Sequence, residues 1–140
     1  MKILLPVDGS DYTKRMLGFV AAHDEMFGAG HDYVALTVVG VVPPDFTAIV
    51  PSDSIEAHYR SQAEAVLRPV RTFAQQNGWK LRASHAGGNP AETIAAIVDK
   101  ERPDLIVMGS HGHAALGNLL LGSVVTGVLA RCKVPVLIVR

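Results

Sequence analysis

Cysteine is almost missing from this chain: among 140 residues only Cys132 carries a thiol. That excludes an internal disulfide and any zinc or iron–sulfur site built from several cysteines, and nothing signals an oxidising compartment. Excess charge of either sign is missing too, because thirteen Lys and Arg balance thirteen Asp and Glu. A partner bound through bulk electrostatics, whether nucleic acid or an anionic membrane, is therefore not expected. Long apolar runs are the third absence. Ile3 to Val7 is cut off by Asp8, too early for a secretory segment. Ala114 to Ala130 is interrupted by Asn118, Ser123, Thr126 and three glycines, short of the about 20 mainly apolar residues that cross a membrane. The expectation is a soluble, cytoplasmic protein.

What is present is a globular composition, 49% hydrophobic and 19% charged. The length suits a single domain over residues 1–140. One kind of unit recurs: an apolar run, a Gly or Pro break, then a helix-compatible stretch. Ile3 to Val7 reads as a first strand. Ser10 caps a helix to about Phe27, with Met16, Phe19, Val20, His23 and Met26 on one face and Gly28 and Gly30 as the stop. Tyr33 to Val42 is valine-rich and nearly continuous in apolarity, as suits a strand buried on both faces. Pro43, Pro44 and Pro51 mark a loop of about a dozen residues.

A helix follows from about Ser54 to Asn77, which Pro69 should kink or divide. Trp79 to Ala86 alternates, as does a strand near a sheet edge. Asn89-Pro90 supplies an N-cap and an N1 proline for a helix through about Glu101. Leu105 to Met108 is a buried strand, Ser123 to Arg131 a last helix, and Val134 to Val139 the final strand. Strands alternating with helices imply right-handed crossovers and a doubly wound parallel α/β sheet with helices on both faces.

In such sheets ligands sit beyond the carboxyl ends of the strands, where the strand order reverses. Two strand ends carry unusual residues. The first ends in Pro6-Val7-Asp8-Gly9-Ser10, a carboxylate beside a glycine. The fourth ends in Met108-Gly109-Ser110-His111-Gly112-His113, followed by Gly117 and then Gly122-Ser123. Gly109 and Gly112 would let backbone N–H groups approach a ligand, and Gly122-Ser123 stands where a helix begins, with free N–H groups and a positive dipole end. Together they read as a backbone cradle for phosphate, faced by Asp8 if strands one and four are neighbours.

Glycine, two residues, glycine, nine residues, glycine-serine resembles the nucleotide-binding signature of the universal stress protein family. The resemblance extends over nearly the whole chain, through the Pro-Val-Asp-Gly-Ser opening, Gly88-Asn89-Pro90, the Asp104 to Gly109 segment and Pro135 to Val139. It implies a Rossmann-like five-stranded sheet in the order 3-2-1-4-5 and ATP or another adenine nucleotide at the strand ends. Pro6, Val7 and Val38 would then line the adenine pocket, with Met108 and Gly109 near the sugar. Asp8 would meet the ribose or a phosphate-bound Mg2+. Phosphates would fall to Gly112, Gly122 and Ser123, and His111, His113 and Val124 are counted in the same nucleotide site. Two positions depart from the family pattern: Thr37 replaces its usual histidine, and His111 and His113 stand where many relatives carry arginine or lysine.

Other readings fare worse. His111 and His113 have no nearby cysteine or convincing carboxylate to complete a metal site. Neither a G-x-x-x-x-G-K-[ST] loop nor a G-x-G-x-x-G after the first strand is present. A receiver domain would need an Asp ending strand three, where Ala86-Gly87 stands. His23 and His85 fit periodic patterns and read as structural, and Cys132 as a small apolar filler. No nucleophile–base pair emerges, so at most slow ATP hydrolysis is expected of a stress-response sensor or regulator. The alternative is a protein-interaction module with weak or no nucleotide binding, serving an unknown regulatory protein. Val134 to Val139, apolar and at the sheet edge, is expected to pair with a second copy as a homodimer, which the resemblance also implies.

Overall fold

The computed structural model describes residues 1–114 and 117–140. Five strands form one parallel sheet: β1 (Lys2–Pro6), β2 (Asp32–Val39), β3 (Lys80–Gly87), β4 (Leu105–Gly109) and β5 (Val136–Val139). Among the described residues the helices are α1 (Asp11–Ala22), α2 (Asp24–Phe27), α3 (Pro44–Thr47), α4 (Ser52–Gln76), α5 (Pro90–Glu101) and α6 (Ser123–Arg131). The strand order is β3-β2-β1-β4-β5, as the sequence predicts. Side chains alternate across a strand, so β1 feeds two cores at once. Ile3, Leu5 and Val7 meet Met16 and Val20 of α1 and Leu67 and Val70 of α4. On the other face Leu4 meets Ile94 and Val98 of α5 and Val125 and Val128 of α6.

Capping follows the sequence. Ser10 caps α1 and Asn89 caps α5, its side chain accepting from Glu92 N at 3.1 Å. Several expectations fail for local reasons. The single helix to Phe27 breaks at His23 (φ −116°, ψ 57°) and restarts as α2. The break re-phases the apolar face, so Phe27 is 2% exposed and Met26, expected in the core, is 57% exposed. His23 holds the break, its Nδ1 2.8 Å from Phe19 O and its ring stacked on Phe19. Pro69 does not divide α4, which runs unbroken over 25 residues. Pro69 and Ala65, whose carbonyl loses its donor, both lie on the exposed side, where water can replace the bond. β2 stops at Val39 rather than Val42, β5 begins at Val136 rather than Val134, and α3 forms inside the proline-marked loop. His85 is exposed on edge strand β3.

One proline shapes the crevice. Val7 N donates to Leu36 O on the β2 side, at 2.9 Å. Backbone groups alternate direction along a strand, so residue 6 addresses β4, and Pro6 has no N–H to give. The β1–β4 ladder accordingly registers only Ile3 with Leu105 and Leu4 with Ile106, whereas the β1–β2 ladder continues to Pro6. Beyond that point the ends of β1 and β4 part.

Candidate functional site

The parted strand ends open a cleft of about 280 Å3 at the switch point. Its floor is apolar, because Leu36, Ile94, Met108 and Val125 are core residues of the α5–α6 face that surface there. Its rim comes from the turn after β1, the loop after β4 and the start of α6. Every residue singled out for the site lies on this one cleft: Pro6, Val7, Asp8, Val38, Met108, Gly109, His111, Gly112, His113, Gly122, Ser123 and Val124. Sequence reasoning missed Thr13, Leu36, Pro90, Ile94, Ala114 and Val125. Leu36 was findable, two residues before Val38 on the same strand face. Thr13 was findable as the residue whose N–H the Ser10 cap receives. Ile94 and Val125 arrive only through helix packing.

Asp8 is the ordered carboxylate of the rim. Gly9, at φ 77°, turns the chain sharply enough for Ser10 N to return to Asp8 Oδ1 at 2.9 Å. Thr13 Oγ1 donates to the same oxygen at 2.9 Å and accepts from Asp8 N at 3.1 Å. Burial pushes the carboxyl group up, but the Ser10 and Thr13 hydrogen bonds and the charge of His113 outweigh it. Asp8 is held below the usual carboxylate range and is ionised at neutral pH.

The glycines also have a role within the protein that their spacing does not disclose. A β-carbon on Gly109 would stand 2.7 Å from Tyr12 Cβ, and one on Gly122 3.1 Å from His111 Cα. Both glycines let protein segments approach each other closely. A β-carbon on Gly112 would stand 2.5 Å from Asp8 Oδ2, which makes Gly112 the residue that leaves room for the carboxylate. Gly122 N–H is not free either: it donates to Ser110 O at 2.7 Å. The N–H groups left open at the start of α6 belong to Ser123, Val124 and Val125, since Gly122 as N-cap brings no side-chain acceptor.

The histidines are also engaged. His111 Nε2 donates to Leu119 O at 2.8 Å, and its Nδ1 lies 3.0 Å from Ser110 Oγ. The Ser110–His111 contact has the spacing of a nucleophile–base pair, yet Ser110 is 1% exposed and out of a substrate's reach. His113 Nε2 donates to Asp8 O at 2.6 Å, tying the loop after β4 to the end of β1 across the cleft. Among the described residues no group of three or more His, Cys, Asp and Glu could hold a metal ion. Cys132, half-buried at the end of α6, has its thiol pushed up by burial.

The family model of the universal stress proteins matches residues 1–140. The chain belongs to the universal stress protein family. A universal stress protein of Methanocaldococcus jannaschii, MJ0531, is 32% identical over 99% of this chain and 81% of its own length. Another, from Thermus aquaticus, is 35% identical over 99% and 97%. Among solved structures the protein MJ0577 of M. jannaschii superposes with a TM-score of 0.79 at 27% identity, over 99% of this chain and 94% of that one. The family assignment agrees with the sheet order. Among the described residues no helix is long and apolar enough to cross a membrane.

Proposed function

We propose that the chain binds an adenine nucleotide in the switch-point cleft and acts as a stress-response sensor or regulator. The observation that carries this reading is the cleft itself, with an apolar floor, an ionised carboxylate on one rim and an open helix start on the other. The floor suits a base, Asp8 suits the hydroxyls of a ribose, and the first turn of α6 suits a phosphate. Two fold relatives point the same way. One universal stress protein, 23% identical with a TM-score of 0.65, was solved in complex with cAMP. Another, from Arabidopsis thaliana, 16% identical with a TM-score of 0.71, was solved with AMP bound.

Asp8 is the one carboxylate among the described cleft residues, so Mg2+ would have to arrive with the phosphates, which is how that ion commonly binds. Extraction of the purified protein followed by mass spectrometry should release an adenine nucleotide, and calorimetry should show one site per chain. Finding neither would favour an interaction module that answers to a regulatory protein without nucleotide.

We further propose a homodimer through Val134 to Val139. Pro135 O and Val139 O accept from Ile106 N and Ser110 N of the β4 segment, so Leu137 also addresses β4 and Val136 and Ile138 address the open edge. Ile138→Pro removes an outward donor and should yield a folded monomer in sedimentation. Leu137→Pro would break the internal ladder instead. A wild-type chain sedimenting as a monomer at micromolar concentration would end this proposal.

A further inference from the structure

From the charges and donors around the cleft, we infer that it selects nucleotides of low charge, a monophosphate or cyclic monophosphate over a triphosphate. This rests on the adenine-nucleotide reading above. Among the described residues lining the cleft there is no lysine or arginine. Arg15, near the rim, is drawn instead over the Tyr12 ring, 5.1 Å from its centroid. The fixed charge at the rim is the Asp8 carboxylate, which is negative. The opposing positive potential is the start of α6, equivalent to about half a charge. A triphosphate brings about four negative charges and a cyclic monophosphate about one. Among the described residues lining the cleft, none carries the permanent positive charge that would neutralise the difference.

Donor supply at the start of α6 acts in the same direction. The N–H groups of Ser123, Val124 and Val125 can serve the oxygens of one phosphoryl group. Further phosphoryl groups would need other donors along the rim, and three of these are committed: Gly122 N to Ser110 O, His111 Nε2 to Leu119 O, and His113 Nε2 to Asp8 O. Freeing any of them unties the loop that forms the rim. The same absence of cations leaves the base and sugar, on the apolar floor and at Asp8, to supply most of the affinity.

Calorimetry at pH 7 with adenosine, AMP, cAMP and ATP, in EDTA so that no metal screens the phosphates, tests this on the wild-type protein. AMP and cAMP should bind at least about tenfold tighter than metal-free ATP, a gap that a favourable triphosphate site would reverse. His113→Arg, which places a permanent cation at the rim, should narrow the gap by raising ATP affinity more than AMP affinity. Metal-free ATP binding as tightly as AMP would overturn the inference and leave the adenine-nucleotide reading intact. Failure of adenosine and all three nucleotides to bind would overturn both.

Discussion

At the amino ends of the strands, Glu101 receives Lys2 Nζ at 2.9 Å and Arg82 Nη2 at 2.6 Å, and Lys80 meets Asp32 at 2.7 Å. At the carboxyl ends the connections are of another kind: Ser10 and Thr13 to Asp8, Gly122 to Ser110, His111 to Leu119, His113 to Asp8. One end is closed by full charges of opposite sign, three cations on two carboxylates. The other is closed by hydrogen bonds that mostly end on backbone atoms, with one carboxylate left unneutralised by any lysine or arginine. Both ends hold the same five strands, so the sheet itself does not demand either chemistry. Lysine and arginine side chains thus stand where they stabilise the sheet and, among the described residues, away from the mouth of the cleft, where they would favour an anion.

The largest effect expected from breaking this division is at Gly112. A valine there forces its β-carbon into the space 2.5 Å from Asp8 Oδ2, so the carboxylate or the loop must move. Gly112→Val should lower AMP affinity by about a hundredfold or more in calorimetry, the size of effect that misplacing a binding group produces. The melting temperature should change little, because the position lies outside both cores. A variant that binds AMP normally would show that the rim does not depend on this approach.

The amino end should respond in the opposite sense. The hydrogen bonds from Lys2 and Arg82 hold the Glu101 carboxyl down at about 2. A carboxylate whose folded value is depressed stabilises the protein above its ordinary value near 4.5, and that contribution disappears as pH falls toward 2. Thermal melts should therefore decline along this acid limb, and Glu101→Gln should flatten it while lowering the neutral-pH melting temperature by a few degrees. The side chains of Lys2 and Arg82 are partly solvated, which keeps the effect modest. AMP affinity should stay at its wild-type value. A loss of affinity in Glu101→Gln would mean that the two ends are coupled through the sheet.

The two ends also differ in how far the sequence discloses them. Strands of apolar residues, the Ser10 and Asn89 caps and the glycine-serine at 122–123 are local signals that located the cleft, and the family resemblance completed the twelve residues assigned to it. What each glycine faces is not local. Tyr12 against Gly109 and Asp8 against Gly112 are meetings of segments about a hundred residues apart, so the spacing does not disclose these close protein contacts. The break at His23 carries no glycine or proline to announce it. Pro69 announced a break that solvent exposure made unnecessary. Lys2, Arg82 and Glu101 looked like ordinary surface charges, since nothing in the sequence pairs residue 2 with residue 101.

The smallest effect belongs to His113, and it separates two histidines that the sequence treats alike. His111 spends Nε2 on Leu119 O and sets Nδ1 against Ser110 Oγ, so its loss should loosen the loop. His113 uses Nε2 on Asp8 O and stands exposed at the rim, which leaves it the histidine able to meet a bound anion as it gains a proton. An anion favours the imidazolium form, so binding should strengthen as pH falls from 8 toward 6. AMP is the wrong probe, because its own phosphate gains a proton near pH 6. The phosphodiester of cAMP does not titrate in this interval. Its affinity should rise about two- to threefold over those two pH units, the modest size expected of one solvated charge. His113→Ala should remove the rise and His111→Ala should keep it, even if the second variant binds more weakly throughout. A rise that survives in His113→Ala would place the proton elsewhere on the rim.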